Sequence, residues 1–127
     1  MEQAIEIFAA VQFLVIGLSH ILQPRVWVEF FTALRSKGHA GVFVNGFLSL
    51  IFGSMIVAFH NVWSGLPMVL TILGWAQVTK GLISFVVPQW GMRGLQRVSY
   101  DRTHEFVVGG FVFLALSALM LYVVLTR

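Results

Sequence analysis

The side chains able to do acid–base, ligand or ion chemistry in this sequence stand inside or at the edges of long apolar runs: Glu6, His20, Asn45, Gln77, Lys80, His104 and Glu105. Charge within a membrane is costly, so each such group is by default a functional candidate. Lys80 precedes Pro88 by eight residues, which in a helix is about 12 Å from its end. Two outcomes are open for it. Its four-carbon stem snorkels toward water or lipid phosphate, or its ammonium pairs with Glu105 at the start of the last apolar run. His20, Asn45, Gln77, Lys80, His104 and Glu105 fall toward the same end of their runs. Facing inward, these six would form a polar intramembrane cluster open to one side.

Three chemistries fit such residues. His20 and His104 are imidazoles of the kind that ligate haem. Glu6 at one end and the Lys80/Glu105/His20 group at the other would be two ends of a proton or ion path, though only Gln12, Ser49 and Thr71 lie between them. His20, His104 and Glu105 are metal-ligand types, but no HExxH spacing accompanies them. Asp101 to Glu105 serves equally well as a capped helix start. The chain contains no cysteine, so thiolate nucleophiles and Cys-based metal sites are excluded. Phosphate loops, nucleophile elbows and carboxylate pairs are missing too. No catalytic residue, metal or resident cofactor is therefore assigned, with haem as the alternative.

The elements that position these groups follow from composition. Of the 127 residues 58% are hydrophobic and 10% charged, with mean hydropathy +0.89, whereas soluble domains carry about 25% charge. Lipid is the solvent this implies. Four runs are long enough for helices across a bilayer core, which takes roughly 20 apolar residues: 4–22, 40–59, 66–87 and 106–125. None alternates as a barrel strand would. The leader is acidic and lacks a cleavage pattern, so the first run is expected to stay as a helix. The fold class is an all-α, polytopic four-helix bundle, one integral membrane domain over 1–127. Net charge is +3 and pI about 10.0, but the cations form no basic face, so no nucleic-acid partner is implied.

Residues 24–37 add one short amphipathic helix between the first two spans. Val26, Trp27, Phe30, Phe31 and Leu34 share a face that would lie in the acyl boundary, and Gly38 is the expected C-cap. His60, Asn61 and Trp63 are expected in an interfacial belt. Arg25, Arg35 and Lys37 follow span one; Arg93, Arg97 and Arg102 precede span four; the hairpin between spans two and three has no Lys or Arg. By the positive-inside rule both basic loops are cytoplasmic and both termini lie on the other side.

Helices in lipid associate through small residues and inter-helix hydrogen bonds. Span two carries Gly41, Asn45, Ser49 and Gly53 at four-residue spacing, a packing stripe for another helix. Span one has a heptad seam of Glu6, Phe13 and His20 beside Ala10 and Gly17. Span three gathers Thr71, Gly74, Gln77, Lys80, Gly81 and Ser84; span four offers Glu105, Gly109 and Leu116 beside Gly110 and Ser117.

Gly17-Leu-Ser-His20 followed by Pro24, then a glycine-rich second span, resembles the small four-helix bacterial membrane proteins called DoxX-like, over the whole length of the chain. Some members of that family are membrane subunits of quinone-linked sulfur-compound oxidoreductases. Many carry an acidic residue among the second-span glycines where this chain has Asn45-Gly46, so the resemblance implies the fold and no catalytic residue. The expected role is that of a small inner-membrane accessory subunit or homo-oligomer, with a membrane-complex partner and the bilayer as its surroundings. A small oligomeric transporter with a cytoplasm-facing vestibule is the first alternative, and a membrane redox or haem protein the second.

Overall fold

A computed structural model describes residues 2–126. Six α-helices follow one another: α1 (Glu2–Leu22), α2 (Pro24–Ser36), α3 (His39–Phe59), α4 (Met68–Val86), α5 (Pro88–Gln96) and α6 (Thr103–Thr126), with a single 3-10 turn at Tyr100–Arg102 before α6. No strand occurs among the described residues. The helices α1, α3, α4 and α6 are long and apolar enough to cross a membrane. Their outward residues, among them Val15, Phe47, Leu82 and Phe111, are apolar and more than half exposed, as a lipid-facing surface requires.

The four long helices form two antiparallel pairs, α1 with α6 and α3 with α4. Glycine sets each pairing. A Cβ on Gly17 would lie 2.9 Å from the Gly110 carbonyl oxygen, and one on Gly110 would lie 2.7 Å from that of Gly17. In the other pair, Cβ atoms on Gly53 and Gly74 would meet the Gly74 oxygen and the Ile56 side chain at 2.8 and 2.5 Å. Backbones approach this closely only where side chains are absent. The Ser117 hydroxyl adds a hydrogen bond to the Ala10 carbonyl at 2.7 Å. The heptad seam of span one is buried throughout, from Glu6 to His20. On α6 the buried face centres on Gly110, Ser117, Met120 and Val123. Gly109 is off that face, with nothing within 4 Å of a Cβ there.

The two pairs meet in an apolar core of Ile5, Ala9, Ala10, Phe13, Ile56, Leu70 and Met120. This core lies toward the end of the bundle that holds the beginning of α1, the end of α6 and the α3–α4 hairpin, called here the terminal end. At the opposite, basic end, α2 and α5 pack on each other and on α3.

The structure corrects the connector picture twice. Residues 88–96 are helical, not loop. Pro88 begins the first turn with its φ already helical. Gly91 then fits beside Val42 and Ser84, and Leu95 is buried. The signal was the spacing of Val87, Gly91, Leu95 and Val98 on one face, masked by two helix-weakening glycines. The aromatic face of α2 also does not point uniformly to lipid. Val26 and Phe30 are exposed, whereas Leu34 is buried and Trp27 and Phe31 are half-buried. Trp27 turns inward, its indole N–H donating to Ser19 Oγ at 2.8 Å, and Phe31 stacks on Phe106. The helix ends at Ser36, and Gly38 (φ +65°) makes the positive-φ turn into α3.

Candidate functional site

Two polar regions stand at opposite ends of the bundle. At the terminal end, Glu6 from α1, His60 from the hairpin and Thr71 from α4 form a network sealed from solvent, each with 0% exposure. His60 Nε2 lies 2.8 Å from Glu6 Oε2, and His60 Nδ1 lies 2.8 Å from Thr71 Oγ1. Thr71 Oγ1 donates to the Val62 carbonyl at 2.8 Å and accepts the Val62 N–H at 3.3 Å. The apolar run of α3 ends immediately before His60, whose extended backbone turns its ring under the hairpin. His60 is therefore not an interfacial-belt residue, a correction with a plain cause: an imidazole beside a buried carboxylate finds a better partner there than water. Trp63 does remain exposed, its indole N–H donating to Asn61 Oδ1 at 2.6 Å.

Glu6, His60 and Thr71 stand in the order acid, imidazole, hydroxyl, which in hydrolases activates a nucleophile. Here the hydroxyl is buried and committed to Val62, so no substrate atom reaches it. The network was legible in part: Glu6 inside an apolar run and His60 at the end of another are opposite partners at the same end.

At the basic end a cavity of ≈ 490 Å³ opens between α2, α3, α4 and α5, lined by Phe31, Asn45, Lys80, Ser84, Trp90 and Leu95 among others. The Lys80 side chain is exposed into it, and neither the Lys80 nor the Asn45 side chain makes a hydrogen bond or ion pair among the described residues. A smaller hollow of ≈ 130 Å³ adjoins it, lined by Arg97, Arg102, Glu105 and Phe106 and sharing Gly94 and Val98. Glu105 is taken by Arg97, whose Nη2 lies 3.1 Å from its Oε2, so the carboxylate expected for Lys80 has another cation. Arg97 wins because it sits on the short connection next to α6, whereas Lys80 belongs to the neighbouring pair.

The six cluster residues therefore do not share one pocket. Asn45 and Lys80 line the cavity together. Gln77 is half-buried, its Cβ against Gly53. His20 is capped by aromatic rings, Trp27 at 4.3 Å, Phe113 at 5.3 Å and Phe106 at 5.5 Å between centroids, with Nδ1 2.8 Å from the Ile16 carbonyl. His104 is exposed at the start of α6. No group of three metal-ligating side chains converges among the described residues. Of the packing stripe, Gly41, Ser49 and Gly53 are buried inside the chain itself, Gly41 beneath Leu34 of α2 and Gly53 against α4. That face is consumed within the protomer.

Most of the other cations at the basic end are tied to the protein. Arg35 donates to the Val98 carbonyl at 3.1 Å, Arg102 to the Arg97 carbonyl at 3.1 Å, and Arg25 lies 4.9 Å from the Tyr100 ring centroid. These contacts brace α2 against the segment following α5 and hold the cavity mouth. The fold and its apolar surface define a small multi-pass membrane protein. Comparisons with family models, curated proteins and solved structures return no match for this chain.

Proposed function

We propose that this protein is a small accessory subunit of a bacterial inner membrane, DoxX-like in kind, that holds the anionic head of a membrane amphiphile in the cavity beside Lys80. The observation that carries this is the cavity itself: ≈ 490 Å³, mostly apolar in lining, with one unpaired ammonium inside it. An apolar wall with a single placed cation suits an acyl chain bearing phosphate or carboxylate. Charge supports it as well. Every Lys and Arg except Arg127 belongs to the basic end, against Glu29, Asp101 and Glu105. In the positive-inside orientation that end faces the cytoplasmic leaflet, which is rich in anionic lipid.

The role is binding and assembly, not self-contained catalysis. A membrane-complex partner or a second copy would use the remaining lipid-facing surfaces, since the glycine stripe is spent within the chain. A transport path has less support, because the core between the two polar regions is Ile56, Leu70, Phe13 and their apolar neighbours.

The test is native mass spectrometry of the purified protein with phosphatidylglycerol and phosphatidylcholine in mixed micelles. Wild type is expected to retain the anionic lipid roughly ten-fold over the zwitterionic one, the effect of one charge-assisted hydrogen bond. Lys80→Met should erase that preference, and added inorganic phosphate should not displace the lipid. A Lys80→Met variant that keeps the wild-type preference for the anionic lipid would overturn the assignment. Displacement by phosphate would mean that the cavity recognises a free anion and not an amphiphile.

A further inference from the structure

The hydrogen bonds at the terminal end make more than a structural pin. A carbonyl oxygen can only accept, so the 2.8 Å contact between Thr71 Oγ1 and the Val62 carbonyl holds the threonine's one proton. The same oxygen accepts the Val62 N–H at 3.3 Å. What remains on Thr71 Oγ1 is one lone pair, and it faces His60 Nδ1 at 2.8 Å. Nδ1 must therefore carry a hydrogen. That leaves Nε2 as the ring nitrogen facing Glu6 Oε2, again at 2.8 Å. This contact also needs one proton, supplied either by Nε2 as imidazolium or by Oε2 as carboxylic acid.

We infer that Glu6 and His60 form a one-proton binding site, a single dissociable proton held in the Nε2···Oε2 bond while Thr71 locks the other ring nitrogen as a donor. The proton passes between Nε2 and Oε2 without leaving the bond, and either form satisfies the Nε2···Oε2 and Nδ1···Oγ1 contacts. Its loss would set a lone pair on Nε2 against a carboxylate oxygen and break the link. The link matters because it ties α1 to the α3–α4 hairpin at the edge of the apolar core where the two helix pairs meet, beside the Phe8–Phe52 and Phe13–Phe52 ring contacts. The proton is thus the ligand that closes the polar link between the two helix pairs.

Among the described residues, few other titratable side chains stand at this end. On α1 Glu2 is exposed at the very end. On α6 Tyr122 is 57% exposed. On α3 and α4 the titratable residues are His39 and Lys80, both toward the opposite end.

The experiment is ring-nitrogen NMR of His60 in the lipid-reconstituted full chain, with infrared detection of the Glu6 carboxyl by difference from Glu6→Gln. Two results support the site: a protonated Nδ1 with a bare Nε2 and a carboxylic-acid band, or an imidazolium with no such band. Glu6→Gln, whose amide N–H replaces the shared proton, should stay folded and show His60 as the neutral Nδ1–H tautomer. A neutral Nε2–H tautomer, in wild type beside an ionised Glu6 or in Glu6→Gln, would overturn the proposal. So would a wild type holding both an imidazolium and a protonated Glu6.

Discussion

Each end of the bundle sets a glutamate against a nitrogen-bearing side chain, and the two contacts differ in nearly everything else. Glu6–His60 spans 2.8 Å with both side chains at 0% exposure, while Arg97–Glu105 spans 3.1 Å with 67% and 35%. The first joins segments 54 residues apart, the second residues eight apart. The buried pair had no water to fall back on, so only an arrangement satisfying each ring nitrogen persists. The exposed pair has solvent and several neighbouring cations as alternatives, and its geometry is correspondingly replaceable. The lesson concerns Lys80 too: at a wet end, two opposite charges at one level need not find each other.

Breaking that contrast should give effects in a definite order. The largest is expected from His60→Phe, which removes the imidazole that holds both Glu6 and Thr71 in a buried network and should cost about 3–5 kcal/mol, read from unfolding in detergent. Glu6→Leu combined with His60→Phe should recover most of that loss, because matched apolar groups replace a buried pair well. A double variant as unstable as the single one would show that the pair does more than satisfy its own burial. Next comes Gly53→Val, whose side chain would strike α4 backbone already at the distance of a Cβ. Overpacking of that kind costs about 1–3 kcal/mol. The same change at Gly109, where a Cβ meets nothing within 4 Å, should be nearly neutral. The smallest effect is expected from Glu105→Gln at the basic end, between zero and about 1 kcal/mol and fading as salt is added. A loss comparable with that of His60→Phe would erase the distinction between the two ends.

How much of this was legible varies along the chain. The four crossings were, because an apolar run of bilayer length has few other destinies. The buried seam of α1 was legible as well, since Glu6, Phe13 and His20 recur at a heptad spacing. The glycine stripe of α3 was seen as a packing face, but whether it served another copy or the same chain depended on where α2 and α4 lie. α5 was hidden by Gly91 and Gly94, residues that weaken a helix in isolation; Gly91 suits it here because Val42 and Ser84 crowd the space a side chain would need. The Glu6–His60 contact was half visible: Glu6 stood out within an apolar run, whereas His60 read as an interfacial residue and only the folded hairpin buries it.

The sequence by itself determined the solvent and the number of crossings, since hydrocarbon admits only segments that satisfy their own backbone, and these runs have the length and composition to do so. It determined as well which helix faces hold small or polar groups. Partner choice was left to the tertiary structure. Which cation takes Glu105, which ring nitrogen meets Glu6, and whether Lys80 ends in a cavity or against a carboxylate all depend on ångström-scale distances between helices far apart in the chain. Hydrogen bonds and ion pairs are short-ranged, so no periodicity along the chain can choose among them.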